Sequence, residues 1–325
     1  MRGGRAALAA GVVVAVGAAG VYVAQHPGVG PLPDPESCSA RAAGHSVSLS
    51  IEQAQNASVI AAVAERRRLP ARAVTIALST AYQESKLRNL DGGDRDSVGL
   101  FQQRPSQGWG RPAQIRNPYY ASNAFYDALI QVDGYRDIPV TEAAQAVQHS
   151  AFPDAYADHE LDGRTVASAL SGNSQAALSC VVGLDEEASQ PVLANGLTAR
   201  ADAVRRDVDK AFASLPVGGF APGGVTTGHM EGSAHYEGRA IDIFFRPVTT
   251  EHRRQGWAVA QYLVANASRL DIAHVIFDDR IWSAGDASEE GWRHYSLPAS
   301  EHPAGADRAT LAILEHRDHV HVDVS

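Results

Sequence analysis

The side chains best suited to chemistry lie in two short stretches. One is Ser233-Ala-His235-Tyr-Glu-Gly238-Arg-Ala240-Ile-Asp242; the other is His316-Arg-Asp-His319-Val-His321, which stands four residues short of the C-terminal end. His235, Asp242 and His321 together offer imidazole, carboxylate and imidazole, a set of the kind that holds a catalytic zinc ion with a fourth position open. The chemistry such a set supports is metal-assisted hydrolysis of a peptide bond, because a held divalent ion makes water acidic enough to attack at neutral pH. A base must take the proton that water gives up.

Strand geometry is the simplest way to assemble these groups. If Ala240 to Phe244 is a strand, Ile241 and Ile243 share one face and Asp242 takes the other. His235 then lies in the preceding loop, where Gly238 lets the chain turn closely enough to bring it beside Asp242. At the C-terminal end the same alternation puts His319 and His321 on one face and Val320 and Val322 on the other. Two imidazoles would enter the site while two valines enter a core. His319 and Asp318 are both candidates for the base, and alternation favours His319. His229, His252, His274, His294 and His302 read as ordinary solvated polar groups.

Ser-x-His-x-x-Gly-x-Ala-x-Asp followed by His-x-His resembles the LAS group of zinc peptidases, which includes D-alanyl-D-alanine carboxypeptidases, lysostaphin-type endopeptidases and the hedgehog signalling domain. Ser233, His235, Gly238, Ala240 and Asp242 match every defined position of the first motif. The spacing of His316, His319 and His321 is similar to that of penicillin-insensitive murein endopeptidases. The stretch His274-Val-Ile-Phe-Asp-Asp-Arg280-Ile-Trp282 resembles a segment of actinobacterial wall-associated proteins. The resemblance implies zinc on His235, Asp242 and His321, His319 as the base or supporting imidazole, and Ser233 and His316 as polar groups for substrate at the rim. Carboxypeptidase members carry Glu three residues before the last ligand, where this chain has the shorter Asp318.

A second constellation lies far upstream. Ala81-Tyr-Gln-Glu84-Ser85-Lys86 is followed by Gly99-Leu-Phe-Gln102-Gln-Arg-Pro105. On a helix Glu84 falls at the flank of an apolar stripe, near Ala77. Partial desolvation there would suit a general acid, which glycosidic cleavage requires. Glu-Ser … Gly-Leu-Phe-Gln-x-x-Pro resembles the pattern of lytic transglycosylases and their lysozyme-like relatives. The resemblance implies Glu84 as acid and then base, Gln102 in the glycan groove, and Tyr156 as the tyrosine found later in such domains. The interval between Glu84 and Gly99 is shorter than the family's, and its Ala-Tyr-Asn-Ala-Gly motif is absent. Asp91, Asp94 and Asp96 crowd that interval without an EF-hand register, which wants glycine at loop position six. They read as a polar loop, one of whose members is available as a second carboxylate.

The elements that must position these groups follow from pattern. Ser50-Ile-Glu-Gln53 fits a capping box and opens a helical pattern to Arg68. Pro70 is placed to start the next helix, Ala71 to about Lys86, with Val74, Ala77, Leu78 and Ala81 on one face. Further helical stretches run near Asn117–Val132 and Val140–His149. An acidic, patternless run from Val181 to Gln190 marks a boundary. Beyond it Leu193–Leu215 and Arg253–Leu270 read as helical, and Arg239–Phe245, His274–Phe277 and His319–Val324 as strands. The expected fold is therefore two domains: a mainly α lysozyme-like domain over residues 38–182, then an α+β LAS- or hedgehog-like zinc peptidase domain over 195–325. Residues 26–37 and 183–194 read as linkers.

Residues 1–25 carry two arginines and then an uncharged run from Ala6 to Ala24. Such a run fits either a signal anchor long enough to span a bilayer or a cleaved signal peptide. Either places the rest outside the cytoplasm. Cys38 and Cys180 would then have an oxidising compartment in which to pair, at about 4–5 kcal/mol for so long a loop; two buried free thiols are the alternative. The net charge of −9 gives no extended basic face, which argues against nucleic acid as a partner. Only Lys86 and Lys210 among the 28 basic residues are lysine, a base-composition bias and not a mechanism. The sum of these readings is an exported peptidoglycan hydrolase, anchored to the membrane by its N-terminal helix or secreted to the wall, that meets both glycan strands and stem peptides. A non-catalytic wall-binding or scaffold protein with the same folds, and a metal-uptake or sensing protein, are the competing readings.

Overall fold

The computed structural model describes residues 36–150, 153–184, 190–297 and 306–325. The apolar run Ala6–Ala24 lies outside the described residues. Among the described residues no helix is long and apolar enough to cross a membrane.

The first half begins with an antiparallel pair, β1 (Ser37–Ala42) and β2 (His45–Leu49), followed by α1 (Ile51–Arg66) and α2 (Ala71–Ser85). Ser50 caps α1 in a full capping box with Gln53, as its sequence predicts. After α3 (Pro112–Ile115) come α4 (Pro118–Leu129), α5 (Val140–Gln148) and α6 (Glu160–Leu170). The chain returns in β3 (Leu178–Val181), which pairs antiparallel with β1 so that Cys38 faces Cys180. Those cysteines form the disulfide. The four helices expected here, α1, α2, α4 and α5, lie within a few residues of their expected bounds, whereas α3 and α6 have no counterpart in the expected pattern. The sheet β2-β1-β3 does not, because its strands are short and gain identity only by pairing across the whole helical segment.

The second half opens on α7 (Ala199–Phe212), shorter than the Leu193–Leu215 expected. Thr198 caps it, and Leu193 to Leu197 form a turn. A six-stranded sheet follows: β4 (Val217–Gly218), β5 (Ala240–Phe244), β6 (Ile272–Phe277), β7 (Arg280–Ser283), β8 (Arg293–His294) and β9 (His319–Val324). Its spatial order is β4-β5-β9-β6-β7-β8. The C-terminal strand thus runs through the middle. The expected Arg253–Leu270 helix is two pieces, α8 (Thr250–Ala265) and α9 (Ala267–Leu270), and α10 (Arg308–Leu314) precedes β9.

One helix belongs to both halves. Every residue of α8 from Gly256 to Ala265 is buried, the signature of a helix surrounded by protein on all sides. Trp257 packs edge-on against Phe277 of the sheet. From the same helix, Gln261 reaches back to the first half. Its Oε1 accepts from the backbone N–H groups of Ala177 and Leu178 at 2.8 and 2.7 Å, and its Nε2 donates to the Ala169 carbonyl at 2.6 Å. Arg254 makes ion pairs with Glu65 and Glu251 at 2.6 and 2.7 Å, and Trp282 donates to the Cys180 carbonyl at 3.1 Å. Residues 36–325 accordingly form one compact unit.

Gln261 is fully buried, so Gln261→Leu would orphan two backbone donors at the junction, each costing about 1–3 kcal/mol. The expected outcome in denaturant is a loss of about 2–5 kcal/mol, with both halves still unfolding in a single transition.

Candidate metal centre

The centre is built on one face of the sheet. In the β5–β9 register Asp242 stands opposite His321 and Phe244 opposite His319, while Ile241 meets Val322 and Ile243 meets Val320. Residues directly across an antiparallel pair share a face. One face of β9 is therefore valine, buried in the core, and the other is His319, His321 and Asp323. On the other flank β6 brings His274 opposite Asp323 and Ile276 opposite His321.

His235 arrives from a single 3-10 turn, Ala234–Glu237, capped by Ser233, whose hydroxyl accepts from the His235 N–H at 3.4 Å. The turn ends at Gly238 with φ +68°, and a Cβ there would lie 2.6 Å from the Gly196 carbonyl oxygen. That is the close turn the motif demands. Ser233, read from sequence as a substrate contact, spends its hydroxyl shaping this turn.

The three expected ligands converge. His235 Nε2 lies 3.2 Å from Asp242 Oδ1 and 3.1 Å from His321 Nδ1, and His321 Nδ1 lies 3.2 Å from the same carboxylate oxygen. Tetrahedral zinc with bonds near 2.1 Å sets its donors about 3.4 Å apart. This triangle fits zinc.

The groups behind the donors fix their orientation. His235 Nδ1 donates to the Gly219 carbonyl at 2.7 Å, which leaves Nε2 free to coordinate. A Cβ at Gly219 would come within 2.3 Å of that ring. His321 Nε2 donates to Asp323 at 3.2 Å, which turns Nδ1 to the centre, and Asp323 also accepts from His274 at 2.9 Å. Carboxylates and carbonyls behind ligating histidines are the usual means of setting tautomer and aim.

The charge balance favours a cation. Asp242, Asp318 and Asp323 are all buried. Burial pushes the Asp242 carboxyl up, but its close contacts with His235 and His321 outweigh it and hold the group far below the carboxylate range. Asp323 is depressed in the same way, by His274 and His321 against its burial. Burial alone would lower the His321 pKa, yet Asp242 and Asp323 raise it to about 9. A metal held at Nδ1 would take the place of that proton.

His319 stands beside the triangle, with Nε2 3.7 Å from Asp242 Oδ1. Its Nδ1 donates to Asp318 at 2.7 Å, and the other Asp318 oxygen pairs with Arg246 Nε at 2.6 Å. Burial opposes ionisation of Asp318, and these two partners overcome it, keeping the group below its ordinary pKa. With both oxygens engaged, Asp318 orients His319, and the imidazole is what faces the centre. His316 packs its ring against His319 and Tyr295, with centroids 4.6 and 4.9 Å away. Its Nδ1 is buried without a partner among the described residues. Desolvation, reinforced by the neighbouring imidazoles, holds His316 neutral.

Of the histidines read as solvated, two belong to this centre. His274 holds Asp323, and His229 stacks on His235. The sequence carried a signal for Asp323, which continues the alternation of His319 and His321, but none for His274 or His229. His252 and His294 stand apart from it, and His302 lies outside the described residues. The hollow over the centre has a volume of about 860 Å³ and is walled by Phe244, Arg246, Ile281, Tyr295 and Leu297.

The upstream glutamate is also partnered. Glu84, at the end of α2 and half-buried, accepts from the Tyr156 hydroxyl at 2.6 Å. Burial and the Glu84 carboxylate together push the Tyr156 hydroxyl well above its ordinary pKa, so it remains a donor. Ser85 donates to the Leu100 carbonyl at 2.7 Å and ties the Gly99–Gln103 turn to α2. Gln102 itself turns inward, accepting from Ser97 at 2.9 Å and donating to the Gly99 carbonyl at 3.1 Å. Asp96 is held by Arg104 at 2.8 Å and by Ser106, chiefly through the former depressed to about 2. It staples the loop. Asp91 pairs with Arg116, and Asp94 is exposed.

A family model described as VldE, C-terminal domain, matches residues 193–305. The match includes Ser233, His235 and Asp242 and ends before His316, His319 and His321. No curated protein matches the chain.

Because His274 acts through Asp323, His274→Ala is expected to weaken zinc binding by about 10–100-fold, read by competition with a chromophoric chelator. His321→Ala should abolish binding in the same assay. An unchanged affinity for His274→Ala would remove it from the centre.

Proposed function

We propose that this chain is an exported, zinc-dependent peptidoglycan hydrolase. In this reading the second half cuts wall peptides and the first half grips or cuts the glycan strands of the same polymer. The observation that carries it is the triangle of His235 Nε2, Asp242 Oδ1 and His321 Nδ1, with edges of 3.1–3.2 Å. Zinc bound there supplies acidity to water and polarises the scissile carbonyl. The chain's own residues do the rest. His319 takes a proton at Nε2 from the attacking water and returns it to the leaving amine. Asp318 holds Nδ1–H and stabilises the imidazolium, while Arg246 fixes Asp318. Phe244 and Tyr295 exclude bulk water, and the hollow is wide enough for an extended peptide.

The hydrogen bond from Tyr156 to Glu84 supports the glycan role of the first half, since it aims one carboxylate oxygen and leaves the other for a leaving group. A purely scaffolding protein would bind walls and release nothing.

The test is mass spectrometry of purified peptidoglycan after digestion. Wild type is expected to release peptide-end fragments that vanish with chelator and return with zinc. His319→Ala should slow that release about 10²–10⁴-fold with zinc still bound. Undiminished peptide cleavage in chelator would sink the metal mechanism. For the first half, Glu84→Gln should remove new sugar ends while peptide ends persist; sugar ends at the wild-type rate would exclude Glu84 as the acid.

A further inference from the structure

His229 is unused in the mechanism above, although it stands over the centre. Its ring lies face to face with that of His235, with centroids 3.8 Å apart and planes inclined by 22°. A ring nitrogen of His229 lies within 4.8 Å of donor atoms of both His235 and Asp242. His229 and His321 thus flank the same pair, but only His321 is drawn in to 3.1–3.2 Å. His321 sits on a central strand, whereas His229 sits on a loop.

That loop has the build of a hinge. Gly223, Gly224, Gly228 and Gly232 all take positive φ, and a Cβ at any of them would meet nothing within 4 Å. Between them His229 is tethered by one side chain: its N–H donates to the Tyr236 hydroxyl at 3.1 Å, and its carbonyl accepts from the same hydroxyl at 2.5 Å. Tyr236 follows the ligand His235 directly, so the tether keeps the imidazole near the metal position while the glycines let it turn.

We infer that His229 is a displaceable fourth metal donor, closing the shell of His235, Asp242 and His321 at rest and yielding its place to the substrate carbonyl. This rests on the zinc reading above. A stacked ring does not aim its lone pair at the point the other three share. Bringing that lone pair to the shared point at the donor spacing of about 3.4 Å needs a ring rotation. Structural zinc sites are closed by four protein donors, and catalytic ones keep a position open. A donor on a hinged loop lets one site be each in turn.

The experiment is zinc-edge X-ray absorption on the full chain loaded with one equivalent of zinc, counting imidazoles per metal. Wild type should show three and His229→Ala two, with zinc affinity in the variant lower by about tenfold or more. Saturating acetohydroxamate, a small ligand for an open position, should take the wild-type count from three to two. Two imidazoles in both proteins would overturn the role of His229 while leaving the three-donor centre standing. Three imidazoles persisting with hydroxamate bound would overturn displacement. Unaltered zinc binding in His235→Ala would remove the centre itself and this inference with it.

Discussion

The pairing of β5 with β9 is the constraint on which the rest depends. It sets Asp242 directly across from His321 and, one residue along, Ile241 across from Val322. Because side chains alternate, a slip of one residue would send both imidazoles into the core and the valines into the groove. Burial of the valines therefore enforces the register that builds the centre. The C-terminal strand is central and paired on both edges, so its imidazoles are held as rigidly as the fold allows.

Around that register the polar groups form an ordered shell. Two chains of hydrogen bonds reach the candidate metal position from outside, His274 through Asp323 to His321, and Arg246 through Asp318 to His319. Each ends on an imidazole nitrogen facing inward. Buried carboxylates are costly unless paired, and here imidazoles and the Arg246 guanidinium stand against three of them. A divalent cation would complete that balance.

The two halves are joined more closely than a linker between domains would suggest. Gln261 and Trp282 satisfy or use the backbone of the segment that carries Cys180, and α8 contributes to the core on either side. The disulfide ties β3 to β1, and through β3 the positions of the helical half and of the sheet are coupled. Glu84 and the candidate metal centre are thus held on one framework.

Much of the centre was legible beforehand. Alternation in His319-Val-His321-Val gave the strand and its two faces, Gly238 gave the turn that delivers His235, and the capping box at Ser50 gave the start of α1. These are local properties, fixed by the periods of two and 3.6 and by glycine's freedom. The short strands β1, β3, β7 and β8 were not legible, because a few residues acquire strand identity only from the partner they pair with. Nor were His274 and His229, whose importance arises from cross-strand register and from a loop folding over the sheet. The sequence by itself determined the donor types and the faces they occupy. The tertiary structure alone decided which carboxylate lies behind which imidazole, since that depends on contacts between residues dozens of positions apart.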